Sequence, residues 1–89
     1  MYYLYILKSE STGRFYVGQT ANLDDRLFRH NSGKSIATRS GLPWTLIFKK
    51  DYEIRSDAII AENWIKRMKS KDIIQQIIDG DIDLDRAVG

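Results

Sequence analysis

Hydrophobic positions along this chain first fill a short run and then recur at helical spacing. Residues 2–8, YYLYILK, are aromatic and branched without interruption, with Tyr3, Tyr5 and Leu7 on one face and Tyr2, Leu4 and Ile6 on the other. Both faces are apolar or amphipathic, which predicts a central strand. SESTG supplies turn residues, and RFYVGQ returns as a second strand to complete a hairpin. If these strands pair with an odd index sum, such as residue 7 opposite 16, Tyr5 and Tyr16 share a face; a slip of one residue separates them.

Gly18 breaks the second strand, and Asn22 is a plausible N-cap, with Asp24 and Asp25 in the first turn favourable to the helix dipole. That helix runs to about Asn31. Leu23 and Leu27 form its buried stripe, and Arg26 and His30 fall beside the stripe at the rim. KSIATRSGLP reads as a basic loop with one short helical turn, closed by Pro43, and WTLIFKKDY as a third strand. Ser56 is expected to cap a longer helix, DAIIAENWIKRMK, whose core face is Ala58, Ile60, Ala61, Trp64, Ile65 and Met68. Ser70 starts a last helix, KDIIQQIID, and Gly80 stops it. The predicted order is β-β-α-β-α-α: an α/β fold of the α+β type, with a small three-stranded antiparallel sheet flanked by helices. Residues 1–80 are read as one domain, and the acidic stretch 81–89 as a loosely held tail.

Composition narrows the chemistry. At 89 residues the chain makes one small domain, and without cysteine it has neither a disulfide framework nor a thiolate metal site. The N-terminal apolar run is too short for a signal peptide or a membrane span, so a cytoplasmic location is expected. Net charge is only +2 but unevenly spread. No acid occurs between Arg26 and Lys50, while Arg29, Lys34, Arg39 and Lys49 accumulate there. Such a block attracts a polyanion, although a solvated basic surface explains the charge alone equally well.

Five residues at the edges of the predicted core carry chemistry: Tyr5, Tyr16, Arg26, His30 and Glu62. Each has an ordinary explanation by itself. Strand tyrosines bury a ring and expose a hydroxyl, and Glu62 with Lys66 is a common helical ion pair. Gly18 serves wherever a backbone needs freedom.

Their order is more telling. Tyr3-Leu4-Tyr5, then Tyr16-Val17-Gly18, then Arg26 and His30, with Glu62 in SDAIIAENWIKRMKS, resembles the signature of the GIY-YIG nuclease superfamily. ATRSGLPWTLIF is similar to its small stand-alone members, and the resemblance covers about residues 2–75. Two departures stand out: only Tyr5 of the first triplet matches GIY, and no asparagine follows Asn63.

The resemblance implies hydrolysis of phosphodiester bonds in DNA, of the kind that repair or recombination requires, with one Mg²⁺ or Mn²⁺ ion. It implies Glu62 as the metal ligand, Arg26 on the scissile phosphate, and Tyr5 as general base with Tyr16 and His30 orienting it or relaying its proton. An ordinary tyrosine, pKa about 10, is ionised roughly one part in a thousand at neutral pH. Either Arg26 and the metal lower that pKa, or the proton passes to His30. Arg29, Lys34, Arg39, Lys49, Lys50 and Lys66 are the expected backbone contacts. DNA is the expected partner, no membrane or protein partner is implied, and a monomer is favoured. The alternatives are a nucleic-acid-binding module on the same fold that does not cut, and a small protein-interaction adaptor using Ile59 and the acidic tail.

Overall fold

The structure, a computed structural model, describes residues 1–88. Its elements are β1 (Tyr2–Ser9), β2 (Phe15–Thr20), α1 (Leu23–Asn31), a 3-10 turn (Arg39–Gly41), β3 (Trp44–Tyr52), α2 (Arg55–Met68), α3 (Lys71–Asp79) and α4 (Leu84–Val88). The three strands form one antiparallel sheet in the order β2-β1-β3, with the apolar β1 in the centre as its two-faced pattern predicts.

Leu7 lies opposite Tyr16 in the β1–β2 ladder, which is the odd-sum register that places Tyr5 and Tyr16 on one face. Between β1 and β3 a bulge sets Ile6 against Phe48 and Leu7 against Leu46. The extra residue, Ile47, lets it and Phe48 both pack against the larger core.

Helices cover both faces of the sheet. On one face Leu4, Ile6 and Val17 pack with Ala61 and Ile65 of α2, Ile77 of α3 and Leu84 of α4. On the other, Tyr5, Leu7 and Trp44 form a smaller core with Leu23 and Leu27 of α1. Asn22 caps α1, its side chain accepting from the Asp25 amide; Ser70 caps α3 in the same way through Ile73. Gly80 ends α3 in the left-handed conformation.

Four local expectations change. Gly18 does not break β2, which continues to Thr20 with Gly18 paired to Tyr5. α2 begins at Arg55 with Ile54 at the N-cap position, so Ser56 lies inside the first turn and caps nothing. Ile60 and Met68 are 49% and 41% exposed. The fully buried stripe is Ala58, Ala61 and Ile65, with Trp64 packed against the same core; Ile60 lies roughly 130° round the helix from the stripe, and Met68 closes the helix. Residues 84–88 form a fourth helix inside the acidic stretch, with Leu84 in the core and Asp85 3.1 Å from Lys50. Gly89, the last residue of that stretch, lies outside the described residues. Among the described residues no helix is long and apolar enough to cross a membrane.

Candidate active site

Tyr5 projects from the centre of β1 onto the α1 face, and the ladder sets it opposite Gly18 of β2. Because position 18 has no side chain, the Tyr5 ring lies directly over that backbone. Tyr5 is 1% exposed, and its hydroxyl is 3.0 Å from Nε2 of His30. Tyr16 stands half-buried beside them, its ring 4.8 Å from the His30 ring in an edge-on arrangement and 6.3 Å from that of Tyr5.

His30 occupies the last turn of α1, one turn beyond Arg26. It was expected at the rim, but the structure buries it to 1% exposure. The loop after α1 folds back over the ring, and Thr38, itself fully buried, places Oγ1 2.8 Å from His30 Nδ1. Trp44 holds Thr38 in turn, its indole N–H donating to the Thr38 carbonyl at 2.6 Å. Asn31 ties the end of α1 to the start of β3, donating to the Trp44 carbonyl and accepting from the Trp44 amide.

Thr38 is the member of this group that the sequence pattern does not reveal. It lies in an irregular loop with no periodicity, eight residues beyond its partner. A neutral imidazole has one donor and one acceptor nitrogen. The chain Tyr5–His30–Thr38 therefore runs in either direction, each side consistent with one tautomer. Two buried hydroxyls thus satisfy both ring nitrogens.

The electrostatics keep this chain neutral. Burial, helped by Tyr16, pushes the Tyr5 phenol well above its ordinary value, with the Arg26 guanidinium opposing. Burial and then the charge of Arg26 hold the His30 imidazole below its ordinary value. At neutral pH the pair is a phenol and an uncharged imidazole. A resting phenolate is disfavoured at Tyr5.

His30 and Tyr16 form one wall of a cleft of about 340 Å³ whose other walls carry Arg26, Arg29 and Lys34. No acidic side chain lines it among the described residues. Arg29 reaches Asp25 one turn back at 3.3 Å, but both side chains are more than half exposed, so that pair holds it weakly. Glu62 approaches from α2, its side chain 17% exposed and 2.5 Å from Lys66. Lys66 Nζ in turn lies 6.0 Å from the Tyr16 ring, and the Glu62 charge contributes to raising the Tyr5 pKa.

The remaining basic residues do not share this surface. Alternation along β3 sends Lys49 and Lys50 to opposite faces. Lys49 sits 5.6 Å over Tyr3 beside a separate cleft, whereas Lys50 pairs with Asp85 of α4 on the far side. Arg39 is spent within its own loop, donating to the Gly33 carbonyl at 3.0 Å. The basic run from Arg26 to Lys50 is thus divided among four places.

Comparisons with known proteins identify the family and a similar fold. Residues 1–75 match the family model described as the GIY-YIG catalytic domain. A UPF0213 protein of Streptococcus pneumoniae serotype 4 is 38% identical over 68 residues, spanning 75% of this chain and 68% of that relative. The UPF0213 protein YsiG of Lactococcus lactis is 39% identical over 66 residues, 73% of this chain and 62% of the relative. The solution NMR structure of a UPF0213 protein from Bacillus halodurans aligns with a TM-score of 0.57 at 30% identity, covering 89% of this chain and 84% of that one.

Proposed function

This chain belongs to the GIY-YIG family, and from that premise we propose that it is a metal-dependent endonuclease hydrolysing phosphodiester bonds in DNA. The observation that carries the reading is the hydrogen-bonded pair Tyr5–His30 behind a cleft whose charged walls are all cationic.

Arg26 binds the scissile phosphate through its planar donor fork. Arg29 and Lys34 hold the neighbouring backbone. Tyr5 accepts a proton from the attacking water as its own passes to Nε2 of His30, so no free phenolate forms. A phosphate at Arg26 also adds negative charge beside His30. That offsets one of the two causes holding the imidazole pKa down and favours the accepting form. Thr38 keeps the ring in the orientation that receives the proton.

The donor set fits Mg²⁺ in a limited way. Among the described residues no group of three or more His, Asp or Glu side chains gathers, so Glu62 would be a lone hard-oxygen ligand, as suits an ion that keeps much of its water. When bound, the ion supplies Lewis acidity toward phosphate oxygens. The engagement of that one carboxylate by Lys66 favours a second reading, a nucleic-acid-binding module that does not cut.

A cleavage assay separates the two. Single-stranded, duplex and branched DNA are incubated with Mg²⁺, Mn²⁺ or EDTA and wild type, Glu62→Ala or Arg26→Ala, each variant checked for folding. Metal-dependent cutting lost in both folded variants supports the nuclease. No cutting by any protein, with salt-sensitive binding retained, replaces it with the binding module.

A further inference from the structure

A second depression of about 400 Å³ lies on the other side of Tyr16, between the edge of β2, the end of α2 and the first turn of α3. Its floor is apolar, formed by Phe15, Val17, Ile65 and Ile74. Its rim is cationic, carrying Arg14, Lys66, Lys69 and Lys71, and no acid lines it among the described residues. Tyr16 lines both this groove and the cleft of Arg26 and His30.

Helix chemistry explains only part of that rim. Cations near the C-terminus of α2 complement its dipole, which accounts for Lys66 and Lys69. Lys71 is the first residue of α3, where the dipole disfavours a positive charge. Its ammonium lies 5.8 Å from the Phe15 ring centroid. Lys69 adopts a left-handed conformation, φ 50° and ψ 41°, that is sterically unfavourable for a residue with a side chain. A glycine would relieve that conformation but would remove a charge from the rim.

We propose that this groove binds an unpaired nucleotide of the substrate strand next to the scissile phosphate, the base on the apolar floor and its phosphate against Lys69 and Lys71. An apolar floor beside an aromatic ring, bordered by Ser70 and by cations of which, among the described residues, Lys66 alone is paired, with Glu62, suits a flat base carrying an anionic link. A duplex keeps its bases stacked inside and offers this floor only sugar and phosphate. The inference rests on the nucleic-acid reading of the neighbouring cleft, and it narrows the substrate to DNA with at least one unpaired residue beside the cut.

The test uses the full chain in EDTA. Thymidine 5′-monophosphate and, separately, inorganic phosphate are titrated while backbone amide resonances are followed. The nucleotide is expected to shift Val17, Ile65 and Ile74, and phosphate to leave them in place. Affinity for a short oligothymidylate and for a blunt duplex is then measured by fluorescence anisotropy. Lys71→Gln and Lys69→Gly are each expected to weaken oligothymidylate roughly tenfold and the duplex much less. Lys69→Gly also relieves the backbone, so a raised melting temperature with weaker single-strand binding supports the groove. Unchanged single-strand affinity in that stabilised variant overturns it. Equal shifts from phosphate and nucleotide, or none from either, overturn it too. The cleavage assay fails independently: cutting with a silent groove refutes only the groove, and an occupied groove without cutting refutes only the nuclease.

Discussion

Tyr5 and Gly18 face each other across the β1–β2 ladder, and a Cβ at position 18 would come within 2.5 Å of the Tyr5 hydroxyl and 2.7 Å of Cζ. The glycine is required for space, since its backbone has no positive φ. Gly18→Ala must therefore displace the ring and with it the 3.0 Å contact to His30. We expect a loss of about 1–3 kcal/mol in urea unfolding and near-complete loss of cleavage. A variant that is stable and fully active would show that the ring position is immaterial.

Tyr5→Phe separates the hydroxyl from the ring. It leaves His30 Nε2 buried without its partner, at a cost of about 1–3 kcal/mol. If Tyr5 relays the proton, the cleavage rate falls roughly 10²–10⁴-fold while DNA affinity holds. Tyr16→Phe is the control, because Tyr16 lines the cleft whereas Tyr5 is covered. Greater damage from Tyr16→Phe than from Tyr5→Phe would exchange the two roles.

Thr38 acts on the reaction only through His30, so its variant should carry a kinetic signature. Thr38→Val keeps the shape and the carbonyl that Trp44 grips, but removes the hydroxyl at 2.8 Å from Nδ1. The expected result is a fall in kcat on the order of tenfold, with KM unchanged and the pH–rate profile displaced. A purely structural role predicts lower melting temperature with an unmoved pH profile.

His30 also gives the fold an acid sensitivity. Its folded pKa is depressed, so the unfolded chain binds a proton at higher pH than the native one does. The stability associated with neutral His30 is fully present above the unfolded value, about 6.5, and declines as pH falls from there through the lower folded pKa. Urea unfolding of wild type and His30→Gln between pH 8 and about pH 5 should show a steeper loss for wild type. Parallel curves would mean that His30 is not the group responsible.

Much of the framework is legible from nearest neighbours in sequence. Asn22 and Ser70 cap their helices, Gly80 ends α3, and β1 is apolar on both faces, all because caps, turns and alternation are satisfied within a few residues. The ordered series of tyrosines, Arg26, His30 and Glu62 is visible in the sequence too, as a resemblance to the family whose model the chain matches. Leu84 is less visible: with Val88 it makes only a single i,i+4 apolar pair in a stretch of alternating acids, and its burial comes from the cluster it joins with residues of β1, β2, α2 and α3.

The sequence by itself therefore determined the three strands and three helices as far as Asp79 and their order, but neither the fourth helix nor Thr38. Tertiary structure alone decided that His30 is buried, that Thr38 completes its hydrogen bonds, and that Lys50 meets Asp85 of α4. Tyr5 and His30 are 25 residues apart. Their meeting depends on strand register, the absent side chain at Gly18 and the return of a loop. These are contacts between distant segments, whose geometry local preference does not encode.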